Sequence, residues 1–200
     1  KQNIVFQPGV NEELAATAIW GTQQLDLYPS KKKHDGVFGI WYGKGPGVDR
    51  CSDVFKHANM AGTAKFGGVI AIAGDDHAAK SSTAAHQSDH IFKACGFPVF
   101  FPSDVQGILD MGVHAFALSR FSGLWAGMKT IQEIVESSAT ALIDPDRVLS
   151  FVLPLLVTPT DGGQGRIPLE VLIETLADVN RYDARESTPL APEDVGYVMR

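Results

Sequence analysis

Two hundred residues with 44% hydrophobic content suffice for one sizeable domain with its own core, or one domain and part of a second. The net charge of -6 and an isoelectric point near 5.4, with no basic run longer than Lys31-Lys32-Lys33, argue against nucleic acid or an anionic membrane as the main partner. Cys51 and Cys95 are too few for an iron–sulfur cluster and lack zinc-type spacing, and no apolar run approaches the ~20 residues of a membrane span. A reducing compartment and a cytoplasmic location are the expectation. The chain opens without Met and almost inside a strand, so it is expected to be a piece of something longer.

Asn3–Phe6 reads as a short strand. Pro8-Gly9 then turns into a helix with Asn11 as N-cap, Glu12 and Glu13 in its first turn, and Leu14, Ala18, Gly21 and Leu25 on one face, ended by Pro29. Val37–Tyr42 is a second strand, followed by the turn Gly43-Lys44-Gly45-Pro46-Gly47 and a helix from about Asp49 to Met60. Gly67–Ala73 is a third strand, with a helix reaching about Cys95. Pro98–Phe101 is a fourth, and Ser103-Asp104-Val105-Gln106 has the capping-box pattern that opens a helix carrying Val105, Ile108, Leu109 and Gly112. This alternation, up to about residue 130, predicts an α/β fold: a doubly wound, mostly parallel sheet with helices on both faces. After Asp144-Pro145 come a strand-like Val148–Val157, a loop at Asp161-Gly162-Gly163 and an amphipathic helix with Leu169, Leu172, Ile173 and Leu176 on one side. A boundary near 138–146 divides a domain at 1–140 from a short C-terminal extension at 141–200, read as a linker and the start of a second α/β segment.

A strand apolar at every position, such as Gly67–Ala73, must be covered on both faces. Ligands of open α/β sheets sit just beyond the carboxyl ends of the strands. Asp75, Asp76, Ser81, Ser82 and Gln87 therefore form a candidate binding ledge, although the aspartates and serines could simply end the strand and cap the next helix. The turn at Gly43–Gly47 could be mistaken for a phosphate cradle, but it has neither Walker nor dinucleotide spacing and Pro46 removes a donor. A structural turn with close backbone packing is the alternative. His86 and His90 have the spacing of a two-histidine metal pair, yet no third ligand follows, so no metal is assigned. Glu12 and Glu13 would each gain ~0.3–1 kcal/mol at the positive end of a helix dipole without any further role. Trp20, Trp41, Trp125, Phe100, Phe101, Phe116 and Phe121 are core or interface residues on the simplest view.

Taken in order, Phe6-Gln7-Pro8-Gly9-Val10-Asn11-Glu12-Glu13, Trp41 through Arg50, Phe55-Lys56-His57-Ala58-Asn59, Gly74-Asp75-Asp76 with Ser81, Ser82 and Gln87, Pro98-Val99 with Pro102-Ser103-Asp104, and Leu118-Ser119-Arg120-Phe121-Ser122-Gly123 resemble the pyrimidine-binding domain of indolepyruvate ferredoxin oxidoreductases. These are thiamine-diphosphate-dependent 2-oxoacid:ferredoxin oxidoreductases, and the resemblance covers about residues 4–140. The family's Gly-Asp-Gly…Asn signature for Mg²⁺ and diphosphate is nowhere in the chain, and its substrate-contacting loop after the first strand would precede Lys1.

The resemblance implies a Pyr-type thiamine-binding domain in which Glu12, rather than Glu13, bonds N1′ of the aminopyrimidine and moves a proton there. It implies that Gly43, Lys44 and Gly45, with Lys56, His57 and Asn59, approach the pyrimidine or the oxoacid, Lys44 or Lys56 meeting the substrate carboxylate. It places Asp75, Asp76, Ser81, Ser82 and Gln87 in the substrate cleft. The implied reaction is oxidative decarboxylation of an arylpyruvate to the acyl-CoA, with coenzyme A and ferredoxin as co-substrates. Mg²⁺, iron–sulfur clusters and a diphosphate-binding domain or subunit would lie outside this chain, in a homo- or hetero-oligomer. Two other readings stand beside it: the same enzyme class acting on pyruvate, a branched-chain acid or 2-oxoglutarate, and a non-catalytic assembly or anion-binding module.

Overall fold

The computed structural model describes residues 4–144 and 197–199. Six strands form one sheet: β1 (Val5–Gln7), β2 (Phe38–Lys44), β3 (Gly68–Asp75), β4 (Val99–Phe100), β5 (Ala126–Ile131) and β6 (Tyr197–Met199). Their order is β1-β6-β2-β3-β5-β4, and every pairing is parallel. β6 comes from the segment read from sequence as an extension, and it pairs with both β1 and β2.

β3 shows why helices lie on both faces. Val69, Ala71 and Ala73 point into one core cluster with α1 (Glu12–Gln23), α3 (Ser52–Ala61) and α4 (Asp89–Ala94); Ile70 and Ile72 join the other, under α5 (Val105–Ser122). Strand side chains alternate between faces, so an unbroken apolar run demands cover on each. The first face is aromatic. Phe55 meets Trp41, Phe97, Trp125 and Phe92 at ring separations of 5.0–6.1 Å, each fully buried large side chain contributing about 1.5–3 kcal/mol.

Asn11 caps α1 as expected, its Oδ1 accepting from the Leu14 amide at 2.8 Å. The buried face of α1 is Ala15, Ala16, Ile19 and Gln23, a correction to the Leu14, Ala18, Gly21 and Leu25 stripe. Small alanines bring the helix down onto β2, where Ile19 sits over Gly39, while Leu14 stays exposed. Gln23 donates to the Val37 carbonyl at 2.9 Å and accepts from the Ala64 amide at 3.3 Å, which satisfies its buried amide. Gly21 faces open space. We expect Gly21→Ala to stabilise the fold by about 0.5–1 kcal/mol, read by urea denaturation; a loss would contradict this packing.

Other boundaries also move. The helix expected at Asp49–Met60 begins at Gly45 and breaks at Cys51 into α2 (Gly45–Arg50) and α3. Pro46 near the helix start is pre-set for helical φ, so the glycine-rich segment opens a helix instead of making a loop. The helix expected from β3 to Cys95 is a loop over 76–88 followed by the single short α4. α5 has Asp104 as its N-cap, bonded to the Gly107 amide at 2.7 Å, and ends at Gly123 in the left-handed conformation, φ 73°. β5 and the short α6 (Gln132–Val135) complete this part of the chain. The elements expected at Val148–Val157 and around Leu169–Leu176 lie outside the described residues. No helix among the described residues is long and apolar enough to cross a membrane.

Candidate functional site

The carboxyl ends of parallel strands form one crest. β1 delivers Glu12, β2 delivers Lys44, β3 ends in Asp75 and Asp76, and β5 ends in Lys129, Thr130 and Ile131. The chain doubles back there: β3 leads to α4 on one face, β4 leads to α5 on the other, and β5 fits between β3 and β4. Loops leaving to opposite faces open the crevice in which sheets of this kind bind ligands.

Glu12 stands at this crest, its side chain 41% exposed. It lies across Gly47, where a Cβ would fall 2.7 Å from its Cγ, so the α2 backbone acts as its seat. Trp41 Nε1 donates to the Glu12 carbonyl at 3.1 Å, fixing the helix start against β2. Arg50 reaches Glu12 at 3.9 Å and Glu13 at 3.4 Å. The longer contact supplies positive potential without tying up the Glu12 oxygens in a tight bond. Burial beside Glu12 and Glu13 pushes the Cys51 thiol up to about 12, which removes it as a nucleophile at neutral pH.

Asp76, Ser81 and Lys44 are brought together. Asp76 accepts from the Ser81 amide (2.6 Å), the Lys80 amide (2.9 Å) and the Ser81 hydroxyl (3.1 Å), and Lys44 Nζ donates to the Ser81 carbonyl at 2.7 Å and hydroxyl at 2.9 Å. The amide of Ser81, then that of Lys80, holds the Asp76 carboxyl below its usual value. Its stabilising share is therefore complete above the unfolded pKa of about 3.9 and is lost as pH falls through the lower folded value. We expect the protection factors of the Ser81 and Lys80 amides, taken relative to unstructured amides at the same pH, to stay high above that range and fall below it; pH-independent protection would refute the link.

Asp75 is buried in a different cluster. It accepts from the Ser88 amide at 2.7 Å and hydroxyl at 2.5 Å and lies 3.9 Å from Lys129. Lys129, only 7% exposed, bonds Asp89 at 2.6 Å and stands 5.0 Å over the Phe101 ring. That bond holds the Asp89 carboxyl below its usual value. Asp75 thus faces inward to the loop's return and not outward as a ledge.

The remaining predicted residues divide. Gly43 and Gly45 are packing glycines: a Cβ would meet the Trp41 ring at 2.8 Å in one case and His86 Cβ at 2.3 Å in the other. Lys56, His57 and Asn59 are not brought to the turn. Lys56 is exposed on α3, His57 stacks on Trp20 at 6.4 Å, and Asn59 clasps the Cys95 carbonyl and the Trp125 amide at the opposite end of the sheet. Ser82 is half-buried and Gln87 exposed in the loop. His86 and His90 do not share a helix face: His86 sits in the loop, 3.3 Å from Asp49, and His90 lies on α4, because the helix expected there starts only at Asp89. Among the described residues no group of three or more His, Cys, Asp or Glu is arranged to hold a metal ion.

Arg50, Ser88, Asp89 and Lys129 went unread as members of these clusters. One signal was available for the last: Lys129 interrupts Ala126–Ile131, where a charge inside an apolar strand demands a partner. A cleft of about 510 Å³ opens farther along the crest, over β4 and β5, and contains none of the predicted site residues. No family model matches the chain, and no curated protein matches it.

Proposed function

We propose that the chain is the aminopyrimidine-gripping half of a thiamine-diphosphate-dependent 2-oxoacid:ferredoxin oxidoreductase acting on an arylpyruvate such as indolepyruvate. The reading is carried by one observation: the carboxylate singled out by the ordered motifs, Glu12, stands half-exposed at the carboxyl crest, seated on Gly47. The bound cofactor supplies the electron sink for decarboxylation. Glu12 is the group that fits the ring nitrogen N1′, where a carboxylate accepts and returns a proton. Arg50 offsets its charge while leaving its oxygens accessible. Of the two lysines considered for the oxoacid carboxylate, Lys44 is favoured because it stands on the crest and Lys56 does not. Cytoplasmic location, coenzyme A, ferredoxin and a partner holding diphosphate and Mg²⁺ belong to the same proposal.

The test is a substrate panel on the complete enzyme, following ferredoxin or viologen reduction with indolepyruvate, phenylpyruvate, pyruvate, a branched-chain 2-oxoacid and 2-oxoglutarate. Arylpyruvates are expected to react fastest, with full dependence on thiamine diphosphate and coenzyme A. Activity without the thiamine cofactor would retire the assignment, and a preference for another oxoacid would move it within the class. The isolated chain, with half the cofactor's contacts missing, is expected to bind thiamine diphosphate weakly and to show no turnover.

A further inference from the structure

We propose that the cleft over β4 and β5 is a separate binding site for a small primary amine carrying an aryl or branched-alkyl body. Its volume of about 510 Å³ lies within the range of small-molecule sites. Phe101, Pro102, Val105, Ile131, Ile134 and Ala139 line it, so the body of its ligand must be apolar. Asp104 and Glu133 supply charge, and among the described residues lining the cleft none is Lys, Arg or His. An anion would therefore meet two carboxylates and no cation, whereas an ammonium group gains a charge-assisted contact.

The carboxylates differ in availability. Asp104 is occupied as the cap of α5, bonding the Gly107 amide at 2.7 Å and the Ser103 hydroxyl at 3.3 Å. Glu133 is more than half exposed and only loosely paired with Lys80, at 3.6 Å. The other nearby cation, Lys129, is committed to Asp89 at 2.6 Å. Glu133 is thus the group that receives the amine, in competition with Lys80. The wall beyond α6 is held in place independently of any ligand. Gln106 accepts from the Leu142 amide at 2.7 Å and donates to its carbonyl at 3.1 Å, and the Ser137 hydroxyl donates to the Glu133 carbonyl at 2.6 Å. The proposal does not depend on the thiamine reading, since a 2-oxoacid is the kind of ligand this cleft disfavours.

The experiment titrates the full 200-residue chain with 2-phenylethylamine, 2-phenylethanol and phenylacetate while following methyl resonances by NMR. The amine is expected to shift Val105, Ile131 and Ile134 with a dissociation constant on the order of 1 mM, and phenylacetate to bind about tenfold more weakly. Glu133→Gln should weaken the amine by about threefold to tenfold and leave 2-phenylethanol unchanged; Lys80→Ala should tighten the amine by about twofold. Both side chains are exposed, so unchanged melting curves control for folding. Equal binding of the three probes, shifts confined to other residues, no shifts at all, or indifference to Glu133→Gln would each overturn the proposal.

Discussion

On the proposed thiamine role, Glu12→Gln in the intact protein is expected to lower turnover by about 10²–10⁴, the loss that follows removal of a general acid–base group. Gln has the same size and can still lie across Gly47, and it can still hydrogen-bond a ring nitrogen. It cannot accept a proton and return it. The fold should scarcely register the change: the contact to Arg50 is long and half-exposed, and pairs of that kind contribute roughly 0–1 kcal/mol. Glu13→Gln is the matched control, because Glu13 sits in the same turn and lies closer to Arg50, at 3.4 Å, without resting on Gly47. Turnover at saturating cofactor, with a parallel thermal melt, separates rate from stability. Near-normal turnover in Glu12→Gln would end its catalytic assignment.

Lys129→Met is expected to be the most damaging substitution for stability, costing about 3–5 kcal/mol. Met replaces the aliphatic stem at similar volume, so the loss isolates the charge. What it strands is Asp75, whose side chain is fully buried, together with the 2.6 Å partner Asp89, and it also removes the cation over Phe101. Ser88 still bonds Asp75 and moderates the penalty, which is why the pair need not collapse entirely. Asp89→Asn in the Lys129→Met background should recover part of the loss, since it removes one stranded carboxylate. Urea denaturation of the single and double variants gives the coupling. A single-variant loss below about 1 kcal/mol would mean that the cluster is hydrated and not buried.

What the sequence revealed follows from the range of the interactions involved. Gly67–Ala73 was readable because burial on both faces leaves no polar residue in the run, and Asn11 because a cap bonds three residues ahead. Local pattern misled wherever a distant partner decided. Leu14 outranks Ala15 in hydrophobicity, yet the alanines face inward because β2 presents Gly39 and the helix can approach closely. Gly45-Pro46-Gly47 looks like a loop until His86 and Glu12 are seen packing against its glycines. The segment after Asp76 holds helix-compatible alanines, but side-chain carboxylates take its backbone amides and leave a loop. That Glu12, Lys44, Asp76 and Ser81 follow the carboxyl ends of strands was legible from the strand pattern. Their separation into two clusters, and the placement of Asn59 at the opposite end of the sheet, depended on strand order, which no local spacing encodes.

Asp75 and Asp76 are neighbours in sequence, yet one fastens the return of the β3–β4 excursion at Ser88 and the other its departure at Lys80 and Ser81. The span from Ser82 to Gln87 is consequently a loop pinned at both ends, and His86 ties it to α2 by packing on Gly45 and standing 3.3 Å from Asp49, so a change of length there would disturb that helix as well.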